Sequence, residues 1–130
     1  MKRQLLFFAF LITWIGLFAQ TTGSSFKFAL VTDTHVGNPN NNEDLYRTVK
    51  DINSLPDIAF VVVSGDVTEF GSDEELQTAK ELLSTLNKPY YVIPGNHDSN
   101  WSESGTNSFK LIFGSETFGF EYHGYQFIGL

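Results

Sequence analysis

Val92-Ile93-Pro94-Gly95-Asn96-His97-Asp98 decides how this chain is read. An apolar strand over residues 90–93 runs into a Pro-Gly turn. It then presents an amide, an imidazole and a carboxylate in succession. Two earlier segments follow the same plan. Phe28-Ala29-Leu30-Val31-Thr32 leads into Asp33-Thr34-His35, and Phe60-Val61-Val62-Val63 leads into Ser64-Gly65-Asp66. Three apolar strands that each end in metal-ligating side chains form the strongest functional signal in the sequence.

The segments between these strands read as helices. Residues 43–53 place Leu45, Val49 and Ile52 on one face at helical spacing, with Asn42 as the expected N-cap and Glu43 and Asp44 at the positive end of the helix dipole. Ser72 and Glu75 form a Ser-x-x-Glu capping box, followed by an apolar stripe of Leu76, Ala79, Leu83 and Leu86. Pro56 and Pro89 introduce the second and third strands, expected over residues 58–63 and 90–93; the first covers 26–32. The second strand is apolar on both faces, as an inner parallel strand should be. Strand, helix, strand, helix, strand with short connections indicates parallel βαβ units.

Beyond Asp98 the pattern changes. Residues 100–107 are polar and loop-like, and 108–113 form a short expected helix carrying Phe109, Ile112 and Phe113. Phe118, Phe120 and Tyr122 alternate with smaller or polar residues, His123-Gly124 reads as a tight turn, and residues 125–130 read as the returning strand. The sequence ends inside that strand on Phe127-Ile128-Gly129-Leu130, which leads to the expectation that more chain follows.

The 130 residues bound the answer to one domain. Met1-Lys2-Arg3-Gln4 is a basic start, and the apolar run over 5–19 is too short for a membrane span of roughly 20 residues. It fits a signal peptide cleaved after Ala19, which makes residues 20–25 an entry linker, residues 26–130 the domain, and the mature protein exported without a stable membrane span. The remaining chain has six basic and fifteen acidic residues. Such a surface argues against nucleic acid and anionic membranes as partners. With no cysteine in the chain, neither a disulfide nor a lipid-modified cysteine is available.

In an open parallel sheet, functional groups gather beyond the carboxyl ends of the strands. Asp33 precedes Asp66 by 33 residues and Asp66 precedes Asn96 by 30, about one βαβ unit each. All of them are therefore expected at one sheet edge. Asp33 and His35, two residues apart, would point the same way on extended backbone. Two ionised carboxylates brought together repel unless a divalent cation sits between them. Oxygen ligands with imidazole, and no thiols, suit zinc, manganese or iron. Two such ions could activate water and clamp a phosphate. Each residue alone has a plainer reading: Asp66 and Asn96 as turn residues, either histidine as an ordinary surface group. The threefold repetition outweighs those readings. His123 is read as structural, the acidic run Asp73-Glu74-Glu75 as a solvated helix start, and Trp101 as an aromatic resting on the core rather than lining a cleft.

Asp33-x-His35, Gly65-Asp66 and Gly95-Asn96-His97-Asp98, in this order and spacing, resemble the first three signature blocks of the calcineurin-like metallophosphoesterases. The resemblance implies the N-terminal half of a four-layer α/β/β/α sandwich holding two divalent metal ions. Asp33 and His35 would bind the first ion, Asp66 would bridge both, and Asn96 would bind the second. His97 would protonate the leaving group, and Asp98 would orient His97. The implied reaction is hydrolysis of a small phosphate ester, monoester or diester, by a hydroxide that the ion pair activates. The family pattern also includes later histidines, one on a further strand and a pair in a Gly-His-x-His block, and this sequence contains neither. A non-catalytic or truncated metal-binding domain on the same scaffold therefore stands as the alternative. His35 and Glu69 replace the glycine and tyrosine of purple acid phosphatases. The stretch Gly65-Asp66-Val67-Thr68-Glu69-Phe70-Gly71 is closer to the cyclic-nucleotide and related diester phosphodiesterases.

Overall fold

The computed structural model describes residues 25–130. The expected leader over residues 1–19, and residues 20–24 of the expected linker, lie outside the described residues. The element order is β1 (Lys27–Val31), α1 (Asn41–Ser54), β2 (Ile58–Ser64), α2 (Asp73–Leu83), β3 (Tyr90–Ile93), α3 (Asn96–Ser99), α4 (Asn107–Phe113), β4 (Phe118–Tyr122) and β5 (Tyr125–Gly129). β1, β2 and β3 form a parallel sheet in that spatial order, and β4 pairs with β5 as an antiparallel hairpin. The fold is α/β.

Period-two alternation gives the parallel sheet two different faces. Val61, Val63 and Val92 point to one side, where they pack with Leu45, Val49 and Ile52 of α1, Leu76, Ala79 and Leu83 of α2, and Phe109 of α4. Phe28, Phe60 and Tyr91 point to the other, where the hairpin lies over them. Phe60 meets Phe120 and Phe127 edge-on at centroid distances of 5.1 and 4.9 Å, and Tyr91 stacks on Phe120 at 3.8 Å. The layers are thus helices, parallel sheet and hairpin. Phe60 is 2% exposed and joins the two strand layers. Burying such a side chain contributes about 1.5–3 kcal/mol.

The strand registers match at the carboxyl edge: Val31 lies opposite Val63, and Ser64 opposite Ile93. All three ligand-bearing loops therefore leave the sheet at the same level. At the opposite edge the Lys27 ammonium is hydrogen-bonded to the carboxylate of Asp57, just ahead of β2.

The α2 capping box forms as the sequence requires. Ser72 Oγ accepts from Glu75 N, and Glu75 Oε2 accepts from Ser72 N. Leu86 packs on the core from beyond the end of this helix rather than from within it. α1 differs from expectation at its start. Its cap is Asn40, held at φ +75° with no side-chain cap bond, and not Asn42. Asn42 Oδ1 instead accepts from Gly37 N and closes the preceding loop. The hairpin turn follows the sequence closely: His123 and Gly124 lie at φ +51° and +82°. A two-residue hairpin loop needs left-handed residues of this kind. Among the described residues no helix is long and apolar enough to cross a membrane.

Candidate metal centre

The loop after β1 reaches the loop after β2 through a short ladder. Asp33 N donates to Gly65 O, His35 N to Asp66 O, and Val36 N to Val67 O; Glu69 N returns to Val36 O. Within it Asp33, His35 and Asp66 take φ values of +54°, +43° and +47°. Such values are uncommon outside glycine, though Asp and His tolerate them better than most residues. The ladder holds this otherwise unfavourable backbone in place. Its effect is to turn His35 and Asp66 toward the end of β3.

Two glycines allow the second and third loops to meet. A Cβ on Gly65 would lie 2.9 Å from Gly95 Cα, and a Cβ on Gly95 would lie 2.1 Å from Asp66 Oδ1. Only backbone fits there. Asp66 Oδ1 then accepts from His97 N at 3.1 Å, which ties the carboxylate to the one-turn helix α3. The sequence assigns no helix to these residues, only ligand side chains after the Pro-Gly turn. Asp98 locks its other side. Oδ1 accepts from Thr68 N and Thr68 Oγ1, and Oδ2 accepts from Val67 N and Gly95 N. Asp98 is fully buried, and these four bonds satisfy its carboxylate.

This corrects the role expected of Asp98. None of its hydrogen bonds goes to the imidazole of His97. The Nδ1 of His97 lies 2.7 Å from the carbonyl oxygen of Glu69. A carbonyl only accepts, so Nδ1 carries the proton, and Nε2 of the neutral ring is left with a lone pair. Asp98 instead clamps the β2 loop to the β3 loop, which fixes where His97 starts.

One ligand atom from each of His35, Asp66 and His97 falls within 4.8 Å of the others. The imidazoles of His35 and His97 meet edge to face at 4.6 Å. Asp33 adjoins this group through His35, with Oδ1 3.9 Å from His35 Nε2, and its side chain is 61% exposed. Asn96 opens α3 and is exposed. The structure thus gathers His35, Asp66 and His97 most tightly. Asp33 stands beside them, and Asn96 stands at the head of the helix that carries His97.

Glu69, which the sequence reading used only to separate subfamilies, belongs to the site. Its Oε2 lies 3.0 Å from His35 Nδ1 and accepts from Asn38 Nδ2 at 2.6 Å, while its own carbonyl holds His97. One residue therefore supports both imidazoles. The approach to His35 Nδ1 is close but poorly aligned, so that buried nitrogen completes no hydrogen bond. Two histidines in contact and the carboxylates of Asp33, Asp66 and Glu69 around them form a donor set that suits a divalent cation. Without one, the three acids repel one another.

Trp101 also departs from expectation. It is 54% exposed rather than resting on the core, and its ring packs on His97 at 3.9 Å. Phe70, 59% exposed, stacks beside it at 6.4 Å.

A family model described as calcineurin-like phosphoesterase matches residues 26–128. A probable glycerophosphodiester phosphodiesterase of Arcobacter nitrofigilis is 37% identical over 78 residues, covering 53% of this chain and 29% of the relative. A glycerophosphodiester phosphodiesterase of Enterobacter lignolyticus is 36% identical over 81 residues, covering 54% and 28%. A probable cyclic nucleotide phosphodiesterase of Rhodopseudomonas palustris is 35% identical over 80 residues, covering 55% and 29%. The chain spans less than a third of the length of these curated relatives.

Proposed function

From the premise that this chain belongs to the calcineurin-like phosphoesterase family, we propose that it forms the first ligand loops of a metal-dependent phosphodiesterase acting on small phosphodiesters. The observation that carries this reading is the convergence of His35, Asp66 and His97, with Asp33 alongside, at one edge of a parallel sheet. Relatives named as phosphodiesterases support the diester over the monoester.

Asp33, His35, Asp66 and Asn96 are the proposed metal-holding residues, and two divalent ions, manganese, iron or zinc, are the proposed complement. When bound, such ions polarise a phosphoryl oxygen and lower the pKa of a water molecule. The chain's own residues do the rest. The Asp66 carboxylate is positioned by the His97 amide. The three carboxylates confer a negative field that selects cations. His97 keeps its ring fixed through Glu69 O, so Nε2 is the nitrogen free to carry a proton to the departing alkoxide. Protonated there as well, the ring is an imidazolium. Export by the leader over residues 1–19 belongs to the same proposal, and the mass of the protein as its host makes it tests that part.

The central test is manganese-dependent release of p-nitrophenol from bis(p-nitrophenyl) phosphate by the full-length protein. Asp66→Asn should reduce turnover by at least 100-fold and lower metal occupancy with it. His97→Ala should lower kcat while metal content, read by elemental analysis, stays near wild type. An Asp66→Asn protein with unchanged activity would sink the reading. A His97→Ala protein that loses its metal would make His97 a ligand instead.

A further inference from the structure

The asparagine-rich loop Gly37-Asn38-Pro39-Asn40-Asn41-Asn42 follows His35 after a single residue and takes no part in the chemistry described above. Two turns in series shape it. His35 O accepts from Asn38 N at 3.1 Å, and Asn38 O accepts from Asn41 N at 3.2 Å. The second turn has Pro39 at its first central position and Asn40, at φ +75° and ψ −19°, at its second. Such a type II turn favours proline first and needs a residue that tolerates positive φ second. Together the turns fold two asparagine side chains back on the histidine and its neighbour. Asn41 Nδ2 donates to His35 O at 3.1 Å. Asn38 Nδ2 donates to Glu69 Oε2 at 2.6 Å, and the same oxygen lies 3.0 Å from His35 Nδ1.

The loop thus reaches His35 from both backbone and ring. The His35 carbonyl takes two N–H donors, on a backbone held at φ +43°. A histidine rarely adopts that conformation unaided. Around the ring, the two nitrogens face different groups. Nε2 lies 3.9 Å from Asp33 Oδ1, toward the other metal-ligating side chains, and Nδ1 faces Glu69. An ionised carboxylate only accepts, so this pairing favours the proton on Nδ1 and leaves the lone pair on Nε2. The Asn38 amide orients the Glu69 oxygen without bringing a charge of its own.

We propose that Asn38 is a positioning residue for His35, acting through Glu69 to keep the proton on Nδ1 and the lone pair on Nε2. Its bearing on cation affinity rests on the reading of His35 as a metal ligand. The choice of tautomer does not.

The test starts from the full-length protein, nitrogen-15-labelled and metal-free in EDTA at about pH 8, where an ordinary imidazole is neutral. Long-range proton–nitrogen correlation spectra of the rings, with His35 assigned from His35→Gln, should show it as the Nδ1–H tautomer. Asn38→Ala should shift His35 toward a mixture of the two tautomers. Asn42→Ala is the control, because the Asn42 side chain bonds Gly37 N in the same loop rather than Glu69. It should leave the tautomer unchanged. Titrated calorimetrically, manganese should bind Asn38→Ala about 10-fold more weakly than wild type and Asn42→Ala equally well. Melting temperatures establish that both variants are folded. A wild-type His35 in the Nε2–H form overturns the proposal, as does a tautomer that Asn38→Ala leaves unchanged. Equal loss of manganese affinity in the two variants overturns it too, in favour of loop integrity alone. A tautomer shift in Asn38→Ala with manganese affinity unchanged would leave the positioning role standing and remove His35 from the metal ligands. Manganese-dependent hydrolysis of a phosphodiester with a tautomer indifferent to Asn38 would do the reverse.

Discussion

Glu69 shows what a single side chain can do when two loops meet over it. Its carboxylate approaches the Nδ1 of His35, and its carbonyl receives the Nδ1 of His97. Carboxylates behind metal-ligating imidazoles fix the ring and raise its basicity, and their loss typically weakens metal binding 10–100-fold. Glu69→Gln is therefore expected to lower manganese affinity by about 10-fold or more by calorimetry. The variant should keep its fold, because the backbone bond from Glu69 N to Val36 O is untouched. Unchanged affinity would show that Glu69 is a bystander. His35, Asp66 and His97 were legible in the sequence because each follows an apolar strand, and strand ends fix position. Glu69 was not, because an acid in a loop has no periodicity. Its role exists only once the β1 and β2 loops pair. Asp98 was legible as important and misread in role for the same reason. Its partners are mostly backbone amides, and an amide looks alike at every position in a sequence.

At the scale of elements, α2 is the best-specified piece of the chain, and Glu75 does more in it than cap. Glu75 Oε2 accepts from Ser72 N and also from Phe70 N. It therefore ties the helix start to the loop that carries Phe70 beside Trp101. Ser72→Ala removes one capping bond and should cost about 1 kcal/mol in urea unfolding. Glu75→Ala removes the reciprocal bond and the bond to Phe70, and should cost more than Ser72→Ala. If the two losses are equal, the Phe70 tie contributes nothing measurable. Helices and strands were readable here because capping residues, prolines and apolar spacing all agree on their limits. The start of α1 was not. Both Asn40 and Asn42 are cap-like residues, and the choice between them is made by Gly37, whose amide takes the Asn42 side chain. α3 escaped notice because a single turn is too short to show helical spacing, and its geometry depends on Asp98 gripping Gly95 and the β2 loop.

At the scale of the whole molecule, the two edges of the sheet should respond to acid in separate ranges. At the amino edge Lys27 and Asp57 are paired. The hydrogen bond from Lys27, and then its charge, hold the Asp57 carboxyl below its ordinary pKa, and the Asp57 partner raises that of Lys27. A carboxyl lowered in the folded state stabilises the fold above its unfolded pKa and loses that contribution as pH falls through the folded value. The lysine, raised, contributes below its unfolded pKa and loses that contribution only as pH rises through its folded value. Both groups are exposed, so the effect at neutral pH is small. At the carboxyl edge the expected dependence is larger and belongs to bound metal. A ligand at 100 times its Kd stabilises the folded state by about 2.7 kcal/mol, of order 10 °C in Tm for a domain this size. Imidazole binds metal only as the free base, so protons compete with the metal for it. The difference in Tm between manganese and EDTA should accordingly shrink between pH 7.5 and pH 5. The remaining acid sensitivity, below about pH 4, should be the same with either addition, and Asp57→Asn should reduce it. A manganese effect that persists undiminished at pH 5 would mean that carboxylates alone hold the ion. His35 would then lose its place as a ligand, and the convergence at the strand ends would have to be explained by Asp33, Asp66 and Glu69 without it.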